Sequence, residues 1–359
     1  MTKRPFIRVS RPYAILVAVV GLLIGASGGA APTGATPGLT TPRTLYIEHG
    51  TIHRFAQDGD FMTWVGGRHY VVHLRSVSGR SSWVLGNAGV GGAVGAQSAS
   101  SLVLGGKRAI WVKHAGVMTR EADIYTAKPG QKKPMLVDNP GVTDYGGTHL
   151  TGLAADGERT IVYGDLRVTC EPGQGCSEFS LTEGGVHRFL GKWYPPRIHG
   201  IPPAFAIAAS ASRVAVVPAV LPDPQHEEFA AAPNGPVNVY DLSGRRLAQV
   251  VPKGTVREVA LSWPALAVIV TRADGTTVVE RYNAASGKLL TATTMPGATN
   301  LAIGTGGTVF LVGKSIYTLH NAQPRLHWRA TMKPIGLSVE GRRVAWAACG
   351  RIKALTLPS

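Results

Sequence analysis

The sequence predicts an all-β fold, a seven-bladed β-propeller, and three observations support that prediction. First, a unit of about 35 to 55 residues recurs about seven times, which is typical of four-stranded propeller blades. Second, 45 Gly and 24 Pro punctuate an apolar chain, as many short strands and tight turns require. Third, the last unit, Ile335 to Leu357, contains only three strands, whereas an unmatched strand, Thr44 to Glu48, stands near the start. The N-terminal strand is therefore expected to complete the last blade.

Residues 1–31 have the pattern of an export signal. Four Lys and Arg residues precede a continuous apolar run from Tyr13 to Ala26, and small residues follow it. This pattern favours a cleaved signal peptide. An uncleaved membrane anchor stays open, because the run extended to Ala31 is just long enough to cross a bilayer. Residues 32–43 are expected to be a flexible spacer, and residues 44–359 a single propeller domain, secreted or anchored on the outer side of the cytoplasmic membrane.

The chain is strongly basic, with a formal net charge of +16. Removal of residues 1–31 takes away four basic residues and no acidic one, so that +12 remains. This excess favours an envelope protein or an anionic polymer as the partner of a monomeric protein, although a basic protein without such a partner is the alternative. Nucleic acid is disfavoured, because no run of Lys and Arg is interleaved with aromatic residues.

The repeat is clearest in the second strand of each unit. Apolar pairs of strands flank Gly-containing turns such as Asp58-Gly59 and Asp156-Gly157, a strong hairpin signal. The predicted second strands are Phe61–Val65, Ala109–Val112, Thr160–Tyr163, Val214–Val217, Leu266–Val270, Val309–Val312 and Val344–Trp346. Trp64, Trp111 and Trp346 are expected to pack neighbouring blades together. Two alternatives remain: six blades, if the weak turn at Trp263-Pro264-Ala265 is misassigned, or a pair of β-sandwiches.

Two segments carry a resemblance to known proteins. Residues Asp241–Leu247 read DLSGRRL and residues Asn283–Leu290 read NAASGKLL. Together with the repeat, they make the mature chain similar to the exported seven-bladed propellers of the broad WD40-like, TolB-like and quinoprotein-like group. The sequence lacks the Trp-Asp dipeptide of true WD40 repeats and the adjacent Cys residues common in quinoprotein enzymes. The resemblance therefore implies a scaffold without a cofactor.

The three Cys residues separate into a pair and a single residue. Cys170 and Cys176 bracket a Pro-Gly turn, and this spacing predicts a disulfide-closed loop in an oxidising compartment. Cys349 ends an apolar strand and is expected to be a small buried residue. No metal site is predicted, because the Cys residues are not accompanied by clustered His.

The long connections predict where a partner binds. In a propeller, the connections from fourth to first strand and from second to third strand emerge on one face, here named the loop face; the other turns emerge on the hairpin face. The long connections are assigned to the loop face of blades 1 to 4: Gly86–Ser100, Lys113–Ala122, Asn139–Thr148, Gly164–Cys176, Gly191–Pro203 and Pro218–Pro236. Repeat proteins carry insertions on their binding face, so we expect a binding surface over blades 2 to 4.

Individual candidates follow from this assignment. The partner-binding candidates are Trp193, Tyr194, Arg197, His199 and His226. The first four combine aromatic, cationic and imidazole groups on a Pro-stiffened segment, which suits a polymer, although packing against the scaffold is the competing interpretation. His69 and His73 share one face of the predicted strand His69–Leu74 and are expected to be sheet-surface residues.

The sequence identifies no catalytic residue. It contains no phosphate-binding loop, no Gly-x-Ser-x-Gly elbow and no His-Glu-x-x-His motif. Asp residues lie mainly in turns, where local hydrogen bonding is expected. The sequence thus favours a non-enzymatic exported propeller that binds a protein or polymer at the cell envelope. The alternative is an extracellular hydrolase or lyase acting on a glycan, peptide or polymer.

Overall fold

Seven antiparallel sheets follow one another along the chain in the computed structural model. It describes residues 41–88, 101–115, 121–138, 142–143, 146–170, 179–190, 195–220, 232–233, 235–320 and 322–358. These residues form strands and turns and no helix. The described part of the chain therefore contains no helix long and apolar enough to cross a membrane. The predicted signal or anchor, residues 1–31, lies outside them. The predicted all-β, seven-bladed fold is confirmed, and the six-blade and β-sandwich alternatives are wrong.

Blades 1 to 3 begin the ring. Blade 1 contains β2 (Ile52–Asp58), β3 (Phe61–Gly66), β4 (Val71–Ser76) and β5 (Ser82–Asn87). Blade 2 contains β6 (Ser101–Gly105), β7 (Arg108–Ala115), β8 (Glu121–Ala127) and β9 (Met135–Asp138). Blade 3 contains β10 (Val142–Thr143), β11 (Gly146–Asp156), β12 (Thr160–Cys170) and β13 (Phe179–Arg188).

Blades 4 to 7 complete it. Blade 4 contains β14 (Ala204–Ser210), β15 (Arg213–Val220), β16 (Ala232–Pro233), β17 (Val237–Asp241) and β18 (Arg246–Val250). Blade 5 contains β19 (Thr255–Ser262), β20 (Ala265–Thr271), β21 (Thr277–Asn283) and β22 (Lys288–Thr294). Blade 6 contains β23 (Ala298–Gly304), β24 (Gly307–Val312), β25 (Ser315–His320) and β26 (Gln323–Arg329). Blade 7 contains β27 (Ile335–Glu340), β28 (Arg343–Ala348) and β29 (Arg351–Thr356), with β1 (Arg43–Ile47) antiparallel to β29.

The innermost strands form the closed ring of the propeller. The first strand of each blade contacts the first strand of the next, in the order β2, β6, β11, β14, β19, β23 and β27, and β27 contacts β2. In blade 3 this inner position belongs to β11, so that β10 is an additional short strand paired with the start of β11. The ring surrounds the central channel of the propeller, and the connections on the two faces are built on this frame.

The second strands supply the packing between blades. Their fourth residue is aromatic in five of the seven blades, and all five side chains are buried: Trp64, Trp111, Tyr163, Phe310 and Trp346. The three Trp residues are 0% exposed, which confirms that they pack the blades together. Each aromatic ring lies in an apolar layer between two sheets, and burial of such large side chains dominates the energetics of a core.

Hydrogen bonds between hairpin turns link successive blades on the hairpin face. Asp58 Oδ2, at the end of β2, accepts from the backbone N–H of Gly106 in blade 2 and, at 2.9 Å, of Gly157 in blade 3. Asp156 Oδ2 accepts from the N–H of Ala211 in blade 4 in the same way. The expectation that turn Asp residues bond only locally is wrong for these two, because the adjacent turns of a closed ring bring foreign N–H groups within reach.

Blades 7 and 1 meet through a polar cluster on the same face. Arg343 Nε donates to Gln57 Oε1 at 3.0 Å, and Gln57 Nε2 donates to the Ser338 carbonyl at 3.0 Å. Glu340 Oε2 accepts from the Gly59 N–H at 3.1 Å. Side chains separated by more than 280 positions in sequence therefore join the last blade to the first.

Deletion of residues 43–48 tests how strongly β1 stabilises blade 7. The deletion leaves an edge of β29 unpaired and removes Tyr46, which packs on Trp64 with ring centroids 4.6 Å apart. Each lost net hydrogen bond costs about 0.5–1.5 kcal/mol, so we expect the melting temperature to fall by about 10 °C. Differential scanning calorimetry measures this, with deletion of residues 32–40 as the control. Equal melting temperatures for both deletions would show that β1 contributes nothing to closure.

Candidate functional site

A cavity of about 500 Å³ opens at the loop-face end of the central channel. The first strands of blades 1, 2, 3, 6 and 7, or the residues just before them, supply its walls, so the ring itself positions the cavity. Its lining residues are Arg54, Phe55, Ser101, Leu102, Val103, Leu153, Asn300, Lys333, Pro334, Ile335 and Gly336. A cavity of this size is in the range of small-molecule sites, which is about 300–1,000 Å³.

The cavity has an apolar wall that close backbone packing makes possible. Phe55 and Leu102 are buried, and Val103, Leu153 and Ile335 are half-buried. Gly336 has a φ of +62°, and an added Cβ there would lie within 3.0 Å of the Phe55 carbonyl carbon. Only glycine allows β27 to approach β2 this closely, because a side chain would collide with the Phe55 backbone.

The charged groups of the cavity are cationic. Arg54 and Lys333 line it, and no carboxylate is among the lining residues that the structure describes. Glu258 lies nearby and accepts from the backbone N–H groups of Asn300 at 3.0 Å and Leu301 at 2.7 Å. These two donors stabilise the Glu258 carboxylate, which is not itself among the lining residues of the cavity.

A second, smaller cavity of about 400 Å³ lies next to the first, between blades 7 and 1. Lys333 and Ile335 line both cavities, and the turn between β28 and β29 contributes Cys349 to the second. The expectation that Cys349 is buried is wrong: it is exposed, with φ +51°, because β28 ends one residue earlier and Cys349 forms the turn. Met332, which is 56% exposed, gives this cavity an apolar rim.

An acid, an aromatic ring and a histidine form a cluster between blades 7 and 1. Trp64 Nε1 donates to Glu48 Oε2 at 2.8 Å, and the Trp64 ring stacks on His73, its cross-strand partner, with centroids 5.0 Å apart. His73 Nε2 lies 3.9 Å from Glu48 Oε2.

His73 therefore lies between two blades, whereas His69 lies in the turn before β4. The prediction that His69 and His73 share one face of a strand is wrong. The sequence alone does not predict the contact of Glu48 with Trp64 and His73, because Glu48 comes from another blade.

The same arrangement recurs between blades 2 and 3. Tyr163 Oη donates to Asp138 Oδ2 at 2.5 Å, and the Tyr163 ring stacks on its cross-strand partner His187 with centroids 4.8 Å apart. His187 Nε2 lies 3.1 Å from Asp165 Oδ1, and its Nδ1 lies 3.1 Å from the Pro195 carbonyl oxygen. Asp165 Oδ1 also accepts from the Gly185 N–H at 2.9 Å. Burial and the hydrogen bond to Asp138 raise the pKa of Tyr163, which stays neutral.

The pKa values of the two histidines are shifted in opposite directions. Burial lowers the pKa of His73, and the more distant Glu48 only partly opposes this. Burial also acts to lower the pKa of His187, but its hydrogen bond and ion pair with Asp165, with the Pro195 carbonyl and Asp138, raise that pKa overall. Both ring nitrogens of His187 face oxygen acceptors, and only the imidazolium form can donate from both at once. His187 therefore fastens the segment at Pro195 most strongly when it is protonated.

The structure places two of the predicted partner-binding residues on the outer edge of blade 3. Ile198 N donates to the Val186 carbonyl at 2.7 Å, and Arg197 forms an isolated antiparallel bridge with His187. The assignment of all of Gly191–Pro203 to a loop-face connection is therefore wrong, because residues 195–198 pair with β13 in the place of a fourth strand. Arg197 and His199 are exposed there, and the Arg197 side chain lies over Gly185. Their binding role stays a prediction.

The remaining predicted residues lie outside the described part of the chain. These are Trp193, Tyr194, His226 and Cys176, so the Cys170–Cys176 disulfide also stays a prediction. Within the described ranges, no three His, Cys, Asp or Glu residues form a group that could hold a metal ion.

Comparisons with known proteins agree with the fold. No family model matches the sequence, and no curated protein matches it. Among solved structures, a catalytically inactive virginiamycin B lyase from Staphylococcus aureus with quinupristin is 14% identical, with a TM-score of 0.52, 89% of this chain and 99% of that chain covered. The β-propeller domain of the Trilobed protease from Pyrococcus furiosus is 8% identical, with a TM-score of 0.50 and coverages of 86% and 98%. Pyrococcus horikoshii acylaminoacyl peptidase is 10% identical, with a TM-score of 0.52 and coverages of 88% and 52%.

At these identities the likeness concerns the fold alone. The neighbours include enzymes, and their chemistry does not transfer to this chain by resemblance. The chain is a seven-bladed β-propeller, and the candidate sites in its described part are the channel mouth lined by Arg54 and Lys333 and the outer edge of blade 3.

Trp64 and Trp346 provide a matched stability test, because both are fully buried but only Trp64 has a hydrogen-bond partner among the described residues. Trp64→Phe leaves the partly buried Glu48 without the indole donor, whereas Trp346 Nε1 has no hydrogen-bond partner among the described residues. Loss of a buried partner costs about 1–3 kcal/mol, so we expect Trp64→Phe to destabilise the protein by that much more than Trp346→Phe. Urea unfolding followed by circular dichroism measures both. Equal losses would show that the Glu48 bond is not stabilising.

The histidines provide a pH test with opposite signs. The raised folded-state pKa of His187 stabilises the protein fully below the unfolded value of about 6.5, and this stabilisation is lost as the pH rises through the folded pKa. The lowered pKa of His73 gives stability above pH 6.5 that is lost as the pH falls. The melting-temperature advantage of wild type over His187→Gln should therefore be larger at pH 5 than at pH 8, and the reverse should hold for His73→Gln. The same trend in both variants would contradict the two assignments.

Proposed function

We propose that this chain is a non-enzymatic, exported β-propeller that binds a protein or anionic polymer at the outer side of the cytoplasmic membrane. In this proposal the loop face and the outer edge of blade 3 make the contact, and the rigid ring holds their residues in place. The observation that carries the proposal is the length of the loop-face connections, which the sequence assigns to blades 1 to 4, together with the long strands of blade 3 that extend toward that face.

The longest strands of the described chain support this location. β11 and β12 each have 11 residues and β13 has 10, whereas the strands of blade 5 have seven or eight. The extra length of β11 and β12 lies toward the loop face, where β10 also pairs with β11 and β16 pairs with the end of β15. Parts of Asn139–Thr148, Gly164–Cys176 and Pro218–Pro236 are therefore strands rather than loops. Paired backbone gives this projection a defined shape, which suits it to recognition of a partner.

Charge supports an acidic partner. The chain carries an excess of basic residues, and the charged lining residues of the channel mouth are Arg54 and Lys333. Arg197 adds an exposed cation on blade 3. Complementary charge accelerates the encounter with a polyanion and makes binding sensitive to salt.

The experiment is co-sedimentation of residues 32–359 with isolated envelope material and with a purified anionic cell-wall polymer. We expect binding that weakens about tenfold between low and high salt, and a loss of about three- to tenfold in affinity for Arg197→Ala and Trp193→Ala, each of which removes one favourable contact. Arg325→Ala is the control, because Arg325 is exposed on β26 of blade 6.

Two results would decide against the proposal. Absence of binding to both materials would rule out an envelope component or anionic polymer as the partner. Binding that neither blade 3 variant changes would place the contact elsewhere on the protein. Turnover of glycan, peptide or polymer substrates in a hydrolase and lyase screen would instead support the enzymatic alternative.

A further inference from the structure

The ring of His187 connects the inside of blade 3 to residues 195–198 on its outer edge, here named the edge segment. Its Nε2 lies 3.1 Å from Asp165 Oδ1, and its Nδ1 lies 3.1 Å from the Pro195 carbonyl oxygen. An ionised carboxylate and a main-chain carbonyl accept hydrogen bonds and donate none. A neutral imidazole has one N–H group, so only the imidazolium form of His187 can donate to both oxygens.

The surroundings of His187 hold its ring in this orientation. The ring stacks on Tyr163 with centroids 4.8 Å apart and an interplanar angle of 6°, and Asp165 Oδ1 is itself held by the Gly185 N–H at 2.9 Å. When His187 loses a proton, one ring nitrogen therefore presents a lone pair to an oxygen. The carboxylate retains the remaining N–H, because charge-assisted hydrogen bonds are roughly twice as strong as neutral ones. Deprotonation thus removes the bond to the Pro195 carbonyl.

The two ends of the edge segment are attached differently. Ile198 is buried in the apolar layer between blades 3 and 4, and its N–H donates to the Val186 carbonyl at 2.7 Å. Pro196 and Arg197, in contrast, are exposed. The segment is therefore anchored at Ile198, whereas the attachment of its start depends on His187.

The groups around His187 favour its protonated form. The titratable and charged groups near it are Asp165 and Tyr163 on β12, Asp138 on β9, Arg188 on β13 and Arg197 on the edge segment. Burial lowers the pKa of His187, but the bonds to Asp165 and the Pro195 carbonyl, with the charge of Asp138, raise it overall above the ordinary value of about 6.5. Tyr163 stays neutral, because burial and its bond to Asp138 raise its pKa.

We propose that protonation of His187 closes the edge segment onto blade 3 and thereby controls partner binding at Arg197 and His199. This inference rests on the proposed function, in which these two exposed residues belong to the partner surface. In the closed form their backbone has one defined position. In the open form a partner must first order the segment, and that ordering lowers the affinity. Binding is therefore expected to be tighter in acidic surroundings.

Hydrogen exchange followed by NMR tests the closure without any partner. Leu39–Ser359 is one compact unit, so residues 32–359 are used. The reporter is the N–H of Arg188, which donates to the Pro196 carbonyl at 3.1 Å. We expect its protection factor, corrected for intrinsic exchange, to fall about tenfold between pH 5 and pH 8, whereas that of the anchored Ile198 N–H changes about twofold or less. The ¹⁵N shifts of the imidazole report the protonation of His187 in the same samples.

Two variants with the same substitution complete this measurement. His187→Gln removes the titrating group, so the fall in Arg188 protection should disappear. His73→Gln is the matched control, because His73 also stacks on its aromatic cross-strand partner, Trp64, but belongs to blade 1. It should retain the wild-type fall. Circular dichroism at both pH values establishes that each variant is folded.

Co-sedimentation with the anionic cell-wall polymer tests the effect on binding. The ratio of the affinities at pH 5 and pH 8 should be about threefold larger for wild type than for His187→Gln. His73→Gln should keep the wild-type ratio, which corrects for the loss of one imidazole charge. His199→Gln is measured as well, because the exposed imidazole of His199 contributes a pH dependence of its own.

The outcomes separate this inference from the proposed function. Protection of Arg188 that is equal at both pH values, or that falls equally in wild type and His187→Gln, would overturn the closure even if the polymer binds. Binding with the same pH ratio in wild type and His187→Gln would overturn the control of binding and leave the proposed function intact. Absence of binding at both pH values would overturn the proposed function together with its control by His187, while hydrogen exchange would still decide on the closure itself.

Discussion

Closure of the ring between blade 7 and blade 1 is the constraint on which the rest of the structure depends. The hydrogen bonds of Gln57, Arg343 and Glu340 connect the two ends of the chain, and β27 packs directly on β2 at Gly336. A ring closes only if every blade meets its neighbours at the same angle and spacing. In five of the seven blades, the fourth residue of the second strand is therefore a large aromatic side chain. The first strands of all seven blades contact one another around the channel.

Closure also explains why buried polar groups are tolerated between blades. Glu48 and Asp138 come from the outer part of one blade and accept hydrogen bonds from Trp64 and Tyr163 of the next. A buried carboxylate is costly without donors, and the ring supplies donors at a fixed distance. The two clusters share a layout but shift the pKa values of their histidines in opposite directions, because Asp165 bonds directly to His187 whereas Glu48 is farther from His73.

The same frame positions the candidate binding surfaces. The ring places two cations and an apolar wall at one end of the channel, and the elongated strands of blade 3 project on that face. His187 connects the inside of blade 3 to its outer edge through the Pro195 carbonyl, two residues before Arg197. A surface held by paired strands and a buried ion pair presents its side chains in a defined geometry, which is what selective binding to a partner requires.

The sequence by itself determined the fold class, the number of blades, the position of the second strands and the packing role of Trp64, Trp111 and Trp346. These features are local, because a Gly turn between two apolar strands and the spacing of its repeats can be recognised without knowing any partner. The sequence also predicted long loop-face connections on blades 1 to 4 and a binding surface over blades 2 to 4, and that surface stays a prediction.

Only the tertiary structure decided which residues meet. Arg54 and Lys333 are more than two hundred positions apart and line one cavity. Glu48 reaches Trp64, and Asp58 caps turns of two other blades. Cys349 is exposed by a turn that begins one residue earlier than the apolar pattern indicates, and Arg197 belongs to an edge rather than a loop. The physical reason is common to all of them: contacts between blades depend on closure of the whole ring, and closure joins residues that share no local pattern.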